Sequence, residues 1–206
     1  MSVRKVIAAI RGPMPDAAPS AEGLIAYSAH QTHPDEPASQ PGDVGGVVMA
    51  WFDADAILDP PRWFDVPIDA YVVDERVKIE WARAWPDGVP TPALELIPFV
   101  CRAPDLTRDE FAAHWSDIHG PLVPVHHPGV ARYVQNVVIR PLTADAPELD
   151  GIAQLYFRTA HDLHERFFDS DEGRRVIADD GSLFLDRSRQ WRMLAQETWF
   201  TPSPRA

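Results

Sequence analysis

Segments of the first half of this chain recur in the same order in its second half. Residues 6–13 (VIAAIRGP) align with 97–104 (IPFVCRAP), and residues 46–52 (GVVMAWF) align with 151–157 (GIAQLYF). Internal repetition means that one supersecondary unit is used more than once, which strongly limits the folds available to the chain. The sequence therefore predicts two related halves.

Strands dominate both halves. In the second half we predict strands over 95–102, 130–138, 151–158 and 190–199, with helices over 107–119 and 160–178. In the first half we predict strands over 3–11, 23–30, 46–52 and 69–81, with a short helical turn near 53–58. The order strand–helix–strand–strand–helix–strand is that of the ferredoxin-like unit. The predicted fold class is therefore α+β, with two ferredoxin-like α+β units in tandem, packed sheet on sheet or joined edge to edge as a pseudo-dimeric α+β barrel.

The two predicted units differ in one respect. The second copy has extra residues between its first two matched segments, and these coincide with the helix predicted at 107–119. The corresponding stretch 13–21 is short and rich in Pro, Ala and Ser, which disfavours a helix. We therefore predict a degenerate ferredoxin-like repeat lacking its first helix over 1–86, and a complete domain carrying the site over 93–206. The long Pro-rich stretch 30–45 is predicted to be either a disordered loop or a lid over the site.

The composition excludes several classes of protein. The formal net charge is −12, which argues against nucleic acid and anionic membranes as partners. A single cysteine rules out an intrachain disulfide and a cysteine-based zinc site. No apolar run approaches the roughly 20 residues of a membrane helix, and the apolar run near the N-terminus is too short for a signal peptide. We expect a cytoplasmic protein.

The stretch 106–121 (LTRDEFAAHWSDIHGP) contains the signals of a complete helix. Thr107 and Glu110 have the spacing of a capping box, in which each side chain accepts a hydrogen bond from the other residue's backbone N–H. Gly120 suits a left-handed helix end, and Pro121 disfavours continuation of the helix. We therefore predict that the helix begins after Thr107 and ends before Gly120.

The same helix is predicted to be amphipathic. Phe111, Trp115 and Ile118 fall on one face, which is expected to pack on the sheet. At roughly 100° per residue, His114 and His119 lie on opposite flanks of that face. Both histidines are therefore placed to reach a cavity beneath the helix.

The second half, roughly 95–200, resembles the EthD domain of the dimeric α+β barrel superfamily. The resemblance rests on LTRDEFxxHWxxxHGPL at 106–122 and PGVxRYVQN at 128–136. It continues in DGIAxLYF at 150–157 and in the Phe- and Asp-rich run 168–186. The first half is recognised only by its likeness to the second.

This resemblance implies a fold more firmly than a reaction, because one fold hosts many chemistries. Members of the family are linked to bacterial breakdown of ethyl tert-butyl ether, and fungal relatives act as dehydratases or decarboxylases on aromatic polyketides. The wider superfamily also includes cofactor-free monooxygenases and haem enzymes. Lyase, oxygen-using and haem-dependent chemistry all stay open.

Four residues are predicted to carry catalysis. His119 occupies the His-Gly-Pro position of the motif, although a histidine in a last helical turn also serves as a simple cap. His114 has Asp117 three residues on, and a carboxylate that orients a histidine creates a general base; the same spacing is common on solvated helix faces. Tyr133 either hydrogen-bonds a substrate oxygen or packs as a core ring.

Substrate contacts are predicted for Trp115, Phe111, Asn136 and Gln135. Alternation along the strand places Tyr133 and Gln135 on one face and Asn136 on the other. The seven tryptophans of the chain are many for its length, and some are expected to line a pocket for a flat hydrophobic ligand.

No metal site is predicted. His126 and His127 are neighbours in the chain and point to opposite sides, so they are poorly placed to chelate one ion together. His30 and His33 fall on the predicted loop 30–45, where a lid contact is conceivable but unsupported by any motif.

The leading hypothesis is a cofactor-independent enzyme, a lyase of the dehydratase or decarboxylase type, acting on a hydrophobic aromatic or keto compound. A histidine would move a proton next to a carbonyl, while Tyr133 or Asn136 polarises the oxygen. One alternative is a haem-dependent or oxygen-using enzyme with a histidine as axial ligand. Another is a non-catalytic binding protein for an apolar metabolite. The oligomeric state is left open between a self-sufficient monomer and a homodimer.

Overall fold

A closed barrel of eight antiparallel strands forms the centre of the protein. The computed structural model describes residues 3–15, 19, 21–33 and 44–201. The strands are β1 (Val3–Arg11), β2 (Leu24–Thr32), β3 (Val44–Asp53), β4 (Ile68–Ile79), β5 (Leu94–Val100), β6 (Val130–Pro141), β7 (Gly151–Phe157) and β8 (Trp191–Phe200). Their order around the barrel is β1-β3-β2-β8-β5-β7-β6-β4, closing from β4 back to β1.

Each half of the chain contributes four neighbouring strands to the barrel. Within each half the first strand lies between the fourth and the third, and the second strand lies outside the third. The two halves meet at two seams, where β2 pairs with β8 and β4 pairs with β6, both antiparallel. Because both seams are hydrogen-bonded, neither four-stranded sheet has an exposed edge.

All eight predicted strands are present, with ends shifted by a few residues. The shift that matters most is at the end of β2, which extends to Thr32. There His30 and Thr32 pair with Glu197 and Ala195 of β8. The prediction that His30 lies on a loop is therefore wrong. Residues 34–43 of the predicted loop or lid lie outside the described residues.

The first half carries little helix. The turn predicted near 53–58 is instead a 3₁₀ turn at Pro60–Arg62, where proline occupies the first positions and suits a helical start. Between β1 and β2 the described residues contain no helix. Helices of the second half are α1 (Arg108–Ala113), α2 (Gly120–His126), α3 (Ala160–His164) and α4 (Asp171–Phe184).

The helix predicted at 107–119 begins as expected and continues further. The capping box of Thr107 and Glu110 is present in both directions. Between α1 and α2, however, His114–His119 forms a π-helical segment, and the chain continues through Gly120 to His126. The prediction that the helix ends before Gly120 is therefore wrong.

The wider turn explains how the chain continues past a glycine and a proline. Gly120 has right-handed dihedral angles, and its N–H donates to the Trp115 carbonyl five residues back, as in a π-helix. Pro121 has no N–H to donate, and the Ser116 carbonyl in the preceding turn accepts a hydrogen bond from Lys78 Nζ of β4 at 3.1 Å. Gln135 Nε2 of β6 donates to the Trp115 carbonyl at 2.7 Å. Lys78 thus satisfies the carbonyl that Pro121 leaves without a backbone donor, and Gln135 adds a second donor to the Trp115 carbonyl.

The second predicted helix, 160–178, is divided in two. Thr159 caps α3 by accepting from the Asp162 N–H, and Ser170 caps α4 by accepting from the Gly173 N–H. Each helix has its own cap, so the connection between them does not have to be helical. Phe167 and Phe168 lie in this connection, and both side chains line a cavity beside the sheet.

The barrel interior is apolar at one end and polar at the other. The apolar end is filled mainly by Ile7, Val47, Met49, Tyr71, Ile97, Phe99, Ile152 and Met193. Around the polar end, buried side chains form a hydrogen-bonded chain through Ser28, His30, Glu95, Gln154, Tyr156 and Glu197. This chain is absent from the sequence-based prediction, because its members come from β2, β5, β7 and β8.

Glu95 is the central acceptor of this buried chain. Its Oε2 lies 2.5 Å from His30 Nδ1, and its Oε1 accepts from Gln154 Nε2 at 2.9 Å. His30 Nε2 in turn lies 2.7 Å from Ser28 Oγ. Both oxygens of the Glu95 carboxylate are therefore used, as burial of a carboxylate requires.

We predict that Glu95→Ala lowers the free energy of unfolding by about 3–5 kcal/mol, because it leaves His30 and Gln154 buried without their acceptor. Urea denaturation followed by circular dichroism measures the change. Glu172→Ala, which removes an exposed ion pair to Arg175, is the matched control and should change stability by less than about 0.5 kcal/mol. A loss below about 1 kcal/mol for Glu95→Ala would show that the buried chain is not a structural element.

Candidate active site

A cavity of about 600 Å³ lies between the outer face of the second-half sheet and the helices that cover it. The sheet contributes the floor and α2 and α4 contribute the walls. Apolar side chains dominate the lining, among them Leu96, Val100, Trp115, Val123, Leu155, Phe167, Ile177 and Phe184. The polar groups that enter this surface are few, which is typical of a small-molecule site.

Two histidines share one carboxylate beside this cavity. Asp180 of α4 places Oδ1 2.8 Å from His114 Nε2 and Oδ2 2.7 Å from His119 Nδ1. His119 lines the cavity, and its ring packs against Phe184 with centroids 5.1 Å apart. The arrangement is a histidine–carboxylate–histidine bridge that joins the π-helical segment to α4.

The π-helical segment accounts for this convergence. In a regular helix, residues five apart are separated by about 140° around the axis, which led to the prediction that His114 and His119 lie on opposite flanks. In a π-helix the hydrogen bonds run from i to i+5 and the turn is wider, so positions i and i+5 lie much closer to one face than in a regular helix. Both rings therefore face α4, and Ile118, predicted on the buried face, is 53% exposed.

The partner predicted for His114 was Asp117, and the carboxylate that contacts His114 is Asp180 instead. Asp117 is exposed to solvent on the outer side of the π-helical segment. Asp180 lies far from both histidines in sequence, so no local spacing pointed to it. It belongs to the Ala-Asp-Asp part of the run quoted for the EthD resemblance, which was the one available signal.

The cavity-facing histidine is held in its neutral form. Burial lowers the pKa of His119 and outweighs the hydrogen bond and negative charge of Asp180, which raise it; the charge of His114 lowers the pKa further. A neutral His119 that donates Nδ1–H to Asp180 leaves the Nε2 lone pair for the cavity. This nitrogen is an acceptor of the kind a general base requires.

Tyr133 provides a hydrogen-bond donor in the same cavity. Its hydroxyl oxygen accepts from Trp115 Nε1 at 3.0 Å and from Gln135 Nε2 at 3.0 Å. Burial raises the pKa of Tyr133 well above its ordinary value, so the hydroxyl keeps its proton. Since both contacts are donated to the oxygen, the O–H remains to be donated to a ligand.

A second histidine of the cavity escaped the sequence-based prediction. His127 lines the cavity and is buried, and its Nδ1 contacts the Phe167 carbonyl. Burial lowers the pKa of His127, although the backbone hydrogen bond raises it. With Nδ1–H donated to a carbonyl, His127 also presents an unprotonated Nε2. The sequence analysis considered His126 and His127 only as a pair of metal ligands and found them poorly placed for that. Two neighbouring histidines do not indicate which of the two rings is buried.

The four predicted substrate-contact residues lie in four different places. Trp115 lines the cavity, whereas Phe111 is fully buried against Trp115 and Phe184 and acts as core. Gln135 lies beneath the cavity, where it supports Tyr133. Asn136 faces the barrel interior and donates to the Ile152 carbonyl, so the prediction that it polarises a substrate oxygen in this cavity is wrong.

Within the described part of the chain, no group of three or more His, Cys, Asp or Glu side chains is arranged to hold a metal ion. Asp180 joins only the two histidines, and Cys101 is buried on the other side of the sheet in the apolar barrel core. No helix in the described ranges combines the length and hydrophobicity needed to cross a membrane.

Comparison with known proteins supports the resemblance seen in the second half. Residues 103–188 match the family described as EthD domain, a stretch that contains the histidine–carboxylate–histidine bridge and Tyr133. No curated protein matches the sequence.

Solved structures share the fold over the entire chain. One is an anthrone oxidase-like protein, with a TM-score of 0.65 at 11% identity, covering 100% of this chain and 96% of the other. Another, named "Putative monooxygenase", comes from Fusobacterium nucleatum subsp. nucleatum and has a TM-score of 0.52 at 8% identity. It covers 98% of this chain and 95% of the other. At these identities the likeness concerns the fold alone, which here is a mixed α+β fold with an eight-stranded antiparallel barrel.

We predict that His119 and His127 are both neutral Nδ1–H tautomers that titrate below 6.5, the ordinary value for histidine. Because burial lowers both folded-state pKa values, the stability that the neutral forms contribute is complete above pH 6.5 and is lost as the pH falls below it. Long-range ¹H–¹⁵N NMR of the imidazole rings reports both tautomer and pKa. Titration of His119 above pH 6.5, or an Nε2–H tautomer at neutral pH, would contradict this assignment.

Proposed function

We propose that the protein is an enzyme that removes a proton from carbon next to the carbonyl of a hydrophobic, aromatic or keto compound, without a bound cofactor. The observation that carries this proposal is the position of His119 at the cavity, with Nδ1 held by Asp180 so that Nε2 is left for a substrate, and with the Tyr133 hydroxyl in the same cavity. The reaction class we favour is a lyase of the dehydratase type.

The residues have distinct roles in this mechanism. The substrate C–H bond breaks, its proton passes to His119 Nε2, and its electron pair forms an enolate. Asp180 stabilises the resulting imidazolium through the Nδ1–H bond, and Tyr133 donates its O–H to the enolate oxygen. The enolate then forms a carbon–carbon double bond as a hydroxyl leaves the neighbouring carbon, taking the proton from His119 to depart as water.

The tight packing around Tyr133 supports its role as a fixed donor. Trp115 Nε1 and Gln135 Nε2 hold the Tyr133 oxygen from two directions. Trp115 itself lies against Gly151, where an added Cβ would approach its ring to 2.4 Å. A donor that does not reorganise as charge develops is the kind that stabilises an enolate most effectively.

An oxygen-using reaction is the second candidate, and the whole-chain fold likeness to an anthrone oxidase-like protein favours it. The first step would be the same proton removal by His119. The enolate would then be oxidised by molecular oxygen, so that a CH₂ group becomes a carbonyl and one water molecule is released. Only the fate of the enolate separates this candidate from the lyase.

A haem-dependent reaction is the remaining enzymatic alternative. His119 or His127 would hold haem through its Nε2 at the cavity, and haem would supply oxygen or peroxide chemistry. Addition of hemin to the purified protein tests this, because a Soret band that disappears in His119→Gln or His127→Gln would identify the ligand. Failure to take up hemin would exclude it.

We also propose that the two halves are tandem ferredoxin-like units and that the first is degenerate. The identical strand order of the two halves supports this, as do the repeated segments of the sequence. The first half has no counterpart of His114, His119 or Asp180 at its repeat positions, so the chain would carry one site.

We predict that the protein accelerates exchange of the acidic C–H protons of 2-tetralone or anthrone in D₂O, measured by ¹H NMR under nitrogen. His119→Gln should reduce the rate by about 10²–10⁴-fold, because it removes the base. Asp117→Asn, at an exposed residue of the same helical segment, is the control and should leave the rate unchanged.

Exchange equal to that in buffer for both compounds would contradict the proposal and favour a binding protein, and full exchange by His119→Gln would show that His119 is not the base. Oxygen uptake with anthrone then separates the two enzymatic candidates. Uptake that depends on His119 supports the oxygen-using reaction, whereas exchange without uptake supports the lyase.

A further inference from the structure

Three arginines line the same cavity away from the histidine–carboxylate–histidine bridge. Arg174 reaches it from α4, Arg187 from the connection that follows α4, and Arg192 from β8. All three are exposed, so they form a positively charged rim around an apolar interior. Within the described residues, none of the three has a carboxylate within ion-pair distance.

Most basic side chains in the described part of the chain have a carboxylate partner, which 31 acidic and 19 basic residues make easy to find. Two nearby arginines outside the cavity lining are examples, since Arg175 pairs with Glu172 at 2.6 Å and Arg189 pairs with Glu148 at 3.2 Å. The rim therefore brings together three positive charges for which no ion pair is seen among the described residues.

Two of the rim arginines are held in place by other contacts. The Arg174 guanidinium lies over the Phe168 ring, 4.5 Å from its centroid. Arg187 donates to the Ala178 carbonyl of α4. These contacts use one face or one N–H of each guanidinium and leave its other N–H groups available. A planar guanidinium with free N–H groups matches the geometry of a carboxylate.

We propose that the substrate of this site carries a carboxylate that binds to the arginine rim, while its reacting carbon lies deeper, at His119. This proposal rests on the function proposed above, which assigns His119 as the base. The ligand class is thus an aromatic or keto acid with the acid group remote from the reacting carbon.

The distance between the arginine rim and Asp180 bears on whether the substrate carboxylate takes part in the reaction. Arg174 and Asp180 are six residues apart on α4, about 9 Å along the helix axis. A carboxylate paired with Arg174 is stabilised as the anion, at the end of α4 that lies away from Asp180. In this proposal the acid group is an anchor that the product keeps, and it is not the group that reacts.

The test uses two probes of equal size and shape, 2-naphthoate and 2-naphthamide, with binding measured by isothermal titration calorimetry. The wild-type protein should bind the naphthoate at least about tenfold more tightly, because only the carboxylate forms charge-assisted hydrogen bonds. The triple variant Arg174→Gln/Arg187→Gln/Arg192→Gln should lose this preference while binding the amide as before. Arg175→Gln, which removes one positive charge from the same helix at a residue outside the cavity lining, should retain the preference.

Equal affinity for the two probes, or a preference that survives the triple variant, would overturn the proposal. Should the triple variant not fold, the single Arg192→Gln variant replaces it and should weaken naphthoate binding alone. His119→Gln separates this inference from the proposed function. It should keep the naphthoate preference, and its effect on proton exchange tests the base assignment independently.

Discussion

The pairing of β4 with β6 at one barrel seam is the interaction from which the geometry of the site follows. It brings the side chains of Lys78 and Gln135 together beneath the helix that covers the sheet, where both lie close to Gly120. Lys78 donates to the Ser116 carbonyl, which Pro121 cannot serve, and Gln135 adds a donor to the Trp115 carbonyl that the Gly120 N–H already uses. These contacts support the π-helical segment, and that segment turns both His114 and His119 toward Asp180.

The site depends on a balance between burial and charge. Burial alone would deprotonate His119 without fixing which nitrogen carries the remaining proton. Asp180 raises the pKa of His119 through a hydrogen bond and its charge, yet burial still prevails. The carboxylate therefore selects the Nδ1–H tautomer and leaves Nε2 as the acceptor. Burial lowers the pKa of His119 but raises the pKa of Tyr133, because in both cases it disfavours the charged form. Tyr133 therefore keeps its O–H, the donor that the proposed mechanism directs at the enolate oxygen.

Local patterns in the sequence predicted the strands and the capping box well, because each depends on residues close together in the chain. The features that escaped prediction depend on distant partners. Asp180 and the buried chain around Glu95 are brought together only when the barrel closes. The π-helical segment likewise needs Lys78, and its effect on helix phase explains why Ile118 and Asp117 were placed wrongly.

The most direct test of the central claim is the pH dependence of proton exchange in the wild-type protein and in Asp180→Asn. The wild-type rate should rise to a plateau with an apparent pKa below 6.5, because burial keeps His119 neutral. In Asp180→Asn the plateau should fall by about 10²-fold or more, since the asparagine no longer fixes the tautomer or stabilises the imidazolium. An unchanged plateau in Asp180→Asn would contradict the claim that Asp180 makes His119 the base.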